Sequence, residues 1–74
     1  MDRQMIVEHL IIAERHVTQG EQHLAKQRRL ILELERDGHS TSQAAALLVT
    51  LEQSQAEHVA GRDRLRNELA QIPD

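Results

Sequence analysis

The sequence predicts an all-α fold, an antiparallel two-helix hairpin that dimerises into a four-helix bundle. Three observations carry that expectation. Apolar residues recur at alternating steps of four and three through both halves of the 74-residue chain, which is a heptad pattern. The pattern is interrupted at Gly38, where a glycine after a long periodic segment suits the left-handed residue that closes a helix. A second apolar stripe runs beside the first, and two helices alone cannot cover it.

The first helix is expected over about residues 3–37, a stretch with no Pro and only Gly20 in its interior. Its seam reads Ile6, Leu10, Ala13, Val17, Gly20, Leu24, Gln27, Ile31 and Leu34. A turn at about 38–40 follows. Ser40 with Gln43 three places on has the form of a capping box for the next helix. The second helix is expected over about 41–72, with Pro73 ending it. Its seam reads Ala44, Leu48, Leu51, Gln55, His58, Arg62, Leu65, Leu69 and Ile72. A connection this short makes the helices antiparallel neighbours within one domain spanning 1–74.

Both seams are apolar at their ends and polar in the middle. Folding back at Gly38 sets Ile6 and Leu10 near Leu69 and Ile72, and Ile31 and Leu34 near Ala44, Leu48 and Leu51. It also sets Gly20 level with His58. A glycine opposite an imidazole is a size match, which offers a packing reason for a residue that costs a helix about 1 kcal/mol against Ala.

The second stripe comprises Val7, Ile11, Ala25 and Leu32 on the first helix, with Ala45, Val49, Ala56 and Val59 on the second. Below about 70 to 80 residues a single core seldom supplies more than 3 to 5 kcal/mol. The chain contains no Cys, so no disulfide adds to that. Association is the remaining route to stability, and the stripe is the expected interface, covered by a second copy or by a helix of another protein.

Composition excludes several functions. Without Phe, Tyr or Trp there is no stacking platform for single-stranded nucleic acid. A formal net charge of -3 and a pI near 5.9 argue against a phosphate-binding surface, so no nucleic-acid partner is expected. The longest apolar run, Ala44 to Val49, is far short of the roughly 20 residues of a membrane span, and no membrane association is expected. The amino terminus lacks a basic region followed by a pure apolar core, so a cytoplasmic location is expected.

Five histidines are the only residues that suggest metal or proton chemistry. His9, His16 and His23 are spaced by heptads, about 10.5 Å along a helix, so no two of them can ligate one ion. In the fold-back His23 comes near Glu57 and His16 near Arg64. These are expected to be seam-edge structural histidines; the alternative is a metal site from His58 with His16 or His23. No Glu-x-x-His or His-x-x-x-His spacing occurs. The basic groups Lys26 to Arg29 and Arg62 to Arg66 are mixed with or followed by acids and suit solvated, ion-paired faces. Arg62 is the exception, since it falls on the seam with its guanidinium free to reach a carboxylate. No catalytic residue, cofactor site or metal ligand is assigned, and a thin helical bundle offers little concavity for an enzyme.

The segments Ala13-Glu14-Arg15-His16-Val17, Leu34-Glu35-Arg36-Asp37-Gly38-His39 and His58-Val59-Ala60-Gly61-Arg62-Asp63-Arg64-Leu65, together covering the body of the chain, resemble short helical-hairpin proteins of soil and root-associated alphaproteobacteria. That family has no established activity, and the resemblance implies a bacterial helical protein without a catalytic role. The expected function is that of a small, non-catalytic, homodimeric interaction or regulatory protein. The alternative is a histidine-based metal-binding protein.

Overall fold

The computed structural model describes residues 2–73. Two helices, α1 (Arg3–Arg36) and α2 (Ser42–Gln71), pack side by side along their length, and the described residues contain no strand. Asp2 starts α1: its extended backbone turns the chain in, and its Oδ1 accepts the Met5 N–H at 2.8 Å, satisfying one of the donors a helix start leaves unpaired. At the other end Gly38 adopts φ +75°. It donates its N–H to Glu35 O at 3.1 Å, while His39 N–H reaches Leu34 O at 2.9 Å. This is the paired closure that a left-handed residue permits, and glycine adopts it without Cβ strain.

The entry to α2 differs from the expected capping box. The helix starts at Ser42, Thr41 is the flanking residue, and no side chain caps it. Ser40 Oγ instead accepts a long bond from Ser42 N at 3.4 Å, so Ser40 and Gln43 do not form the reciprocal pair. Ser40 lies in the crossing strand of chain, too early to cap a helix that starts at Ser42. The expected end points 37, 41 and 72 are flanking residues here: Asp37 and Thr41 bound the connection, and Ile72, with ψ 124°, leaves the helix before Pro73.

Every seam residue of α1 is buried or half-buried, and so is every seam residue of α2. Ile6, Val17 and Leu24 are the buried apolar residues. Leu10, Ile31, Leu48, Leu51, Leu65 and Leu69 are half-buried around them. Two glutamines, Gln27 and Gln55, are buried as well. Each reaches across the seam to a main-chain carbonyl of the facing helix: Gln55 Nε2 donates to Val17 O at 2.9 Å, and Gln27 Nε2 donates to Ala44 O at 2.9 Å.

The register follows from the first of these bonds. Gln55 Oε1 occupies the space that a Cβ on Gly20 would fill, with Gln55 Cδ only 2.7 Å from that position. Gly20 therefore faces Gln55, one helical turn from the His58 that size matching suggested. His58 packs against His16 instead, with ring centres 5.4 Å apart. The close approach needs a glycine, because any side chain at position 20 would displace the buried amide. Gln55 Oε1 has no hydrogen-bond partner; it points along the Gly20 Cα–H direction, where a polarised C–H is a weak donor.

Gly61 is the internal comparison, since a Cβ there would meet nothing within 4 Å. Gly20→Ala and Gly61→Ala should gain the same helix propensity, about 1 kcal/mol, but only Gly20→Ala displaces Gln55 and breaks its bond to Val17. In chemical denaturation Gly61→Ala should be the more stable of the two by about 1 to 3 kcal/mol, and equal stabilities would show that the Gln55 contact contributes nothing. Gln55→Ala should itself cost about 1 to 3 kcal/mol by the same measurement.

Candidate interaction surface

The hairpin is long and thin, with Cα extents of 58 × 14 × 13 Å. Two layers of helix cannot enclose a side chain on all sides, and no described side chain is wholly removed from solvent. The stripe expected to form an interface is accessible: Ile11, Leu32 and Val49 are 54%, 65% and 53% exposed. Ala25, Ala45 and Ala56 are exposed as well, while Val7 and Val59 are half-buried at the seam edge.

The stripe is not the continuous aliphatic face that the sequence suggests. Glu14 and Arg28 stand whole heptads after Val7, and Glu52 and Arg66 stand one heptad either side of Val59, so all four share those rows. They pair across the hairpin, Arg66 Nη2 with Glu14 Oε1 at 3.3 Å and Arg28 Nη2 with Glu52 Oε2 at 3.6 Å. All four side chains are about half exposed, where such pairs contribute 0 to about 1 kcal/mol. Their main consequence is geometric, since they divide the apolar surface into two patches.

The first patch surrounds the turn end of the hairpin. There Leu30 and Leu47 on one flank, and Leu32 and Val49 on the other, are exposed together. Leu30 continues the row of His9, His16 and His23, the flank not expected to be apolar. A shallow groove beside the turn runs over Leu30, Leu34, Ala44 and Leu47. The second patch is at the open end, where Met5, Ile11 and Ile12 are exposed. No large apolar side chain is exposed in the middle of either helix among the described residues. The sequence missed the two-flank character of the turn end because a single-stripe search discards apolar residues that fall off the stripe.

The histidines separate into two kinds. His58 is half-buried on α2 and touches His16, which is exposed on α1. His16 thus meets His58, six residues before the Arg64 that the sequence suggested. His9 and His23 are exposed along α1. No group of three or more His, Cys, Asp or Glu is placed to hold a metal ion among the described residues. Arg62 behaves as expected for a seam arginine: its side chain is 22% exposed, and its Nη2 reaches Asp63 Oδ1 at 3.0 Å. No helix among the described residues is long and apolar enough to cross a membrane.

Removing one cross-hairpin charge should change stability little and the surface pattern not at all. Glu14→Gln should lower the unfolding free energy by less than about 1 kcal/mol, with the effect disappearing at high salt; a larger or salt-independent loss would show the pair to be structural.

No protein-family model, curated protein or solved structure matches the chain.

Proposed function

We propose that the chain is a non-catalytic interaction module that self-associates through its exposed apolar patches, with two hairpins making a four-helix bundle. The supporting observation is an excess of surface. The chain exposes 5584 Å², whereas a compact monomer of its mass exposes about 4,650 Å². The difference, roughly 900 Å², is close to the area each partner contributes to a standard protein interface, about 800 Å². The radius of gyration, 16.9 Å, exceeds the ~11 Å of a compact chain of this length in the same sense.

The flank bearing Ile11, Leu32 and Val49 suits this role. It carries an apolar patch at each end and charges between them. Two hairpins docked in opposite directions set the turn-end patch of one on the open-end patch of the other. They also offset unlike charges instead of stacking each on its own copy, and like-charge contacts across an interface are costly. A helix of another protein with matching spacing is the competing occupant.

Sedimentation equilibrium should give twice the 8.5 kDa chain mass, with helicity rising with concentration because folding and association are linked. A chain that remains monomeric and fully helical at every concentration would overturn self-association and leave the surface to another protein's helix. Val49→Glu and Ile11→Glu should each place an unpaired carboxylate in the interface and weaken the dimer by about 2 to 4 kcal/mol, while Glu8→Gln changes neither mass nor melting temperature. An unchanged dimer in Val49→Glu would place the interface on the opposite flank.

A further inference from the structure

His16 and His58 come from different helices, sit near the middle of the hairpin, and place their ring centres 5.4 Å apart at an interplanar angle of 51°. Two imidazoles sharing a tetrahedral ion, each nitrogen ~2.05 Å from it, hold their ring centres roughly 5 Å apart. The observed separation fits that geometry.

Two further features fit the same purpose. The Gln55 clamp holds the pair in place: its acceptor, Val17 O, belongs to the residue after His16, and Gln55 itself stands one turn before His58. Both ligands thus lie on rigid helices beside the hydrogen bond that pins those helices, and ligands preorganised in this way lose little freedom on binding. Gly61, one turn beyond His58 on the same face, leaves open space where other residues would place a side chain. A glycine inside a helix costs about 1 kcal/mol, and here no close packing requires it. Room for an ion and its water molecules is a use for that space.

The geometry points to a site for a borderline divalent transition ion, of which zinc is the type, held by one imidazole from α1 and one from α2 with water at its remaining positions. The ion binds neutral imidazole nitrogens and displaces only water, so no redox step or co-reactant is involved. Both ligands belong to one chain, so the site does not depend on self-association. Its effect is to tie α1 to α2 near the middle of the seam, beside the Gln55 clamp. Two protein ligands make an exchangeable site; the closed structural zinc centres use four.

Isothermal titration with zinc in a non-coordinating buffer tests this, alongside melting temperatures with and without the ion. The chain should bind one zinc per chain, and saturating zinc should raise the melting temperature by roughly 5 °C or more, reversibly with a chelator. His16→Gln and His58→Gln should each weaken binding at least tenfold and abolish the shift, each judged against its own zinc-free melt. His9→Gln and His23→Gln should bind as the parent does. His16 is exposed, so its variant keeps the test decisive if the half-buried His58 proves necessary for folding. Absence of zinc binding, binding that survives His16→Gln, or one ion per two chains would each overturn the site.

Discussion

A single side-chain amide holds the hairpin in register. Gln55 reaches from α2 into the notch left by Gly20 and bonds to Val17 O, and the apolar layers on either side fall into place around that contact. Heptad seams repeat, so apolar packing alone would tolerate a slip of one repeat. Here a slip would set Gln55 against Ala13 or Gln27, each of which carries a Cβ where the amide must lie. A buried polar residue in a seam costs stability relative to a leucine and specifies one alignment in return. Gln27, bonded to Ala44 O nearer the turn, repeats the device with the roles of the helices exchanged.

The clamp is polar, yet it sits among buried apolar residues, since Val17 and Leu24 flank Gly20 on α1. Ile6 is buried at the open end, and half-buried residues such as Leu34, Leu48 and Leu69 complete the seam toward both ends. The exposed apolar residues are distributed differently, gathering at the turn and at the open end while charge pairs cross the hairpin between them.

Much of this was legible in the sequence because helix periodicity is a local property. The seam positions on both helices follow from steps of three and four, and the closing role of Gly38 follows from its place after the last periodic residue. What the sequence did not yield was the relative height of the helices. His58 looked like the partner of Gly20 because size matching favoured it, yet Gln55, three residues earlier, is the residue set there. The capping box failed for a related reason: Ser40 and Gln43 have the right spacing, but spacing does not say which residue the crossing leaves at the helix start. The interface stripe was legible as a set of exposed residues and not as a continuous face, since the heptad rows that contain Val7 and Val59 also contain the four charged residues that pair across it.

The hairpin returns its chain to where it began. Ile6 of α1 lines a shallow depression together with Glu68, Gln71 and Ile72, so both chain ends emerge at one pole, and the Gly38 turn occupies the other in a molecule 58 Å long. Anything joined to either end, a tag, a tether or a further segment, leaves from the same pole and stays clear of the apolar tip. The molecule has the shape of a post, with its turn end several nanometres from the pole where its two helices begin and finish.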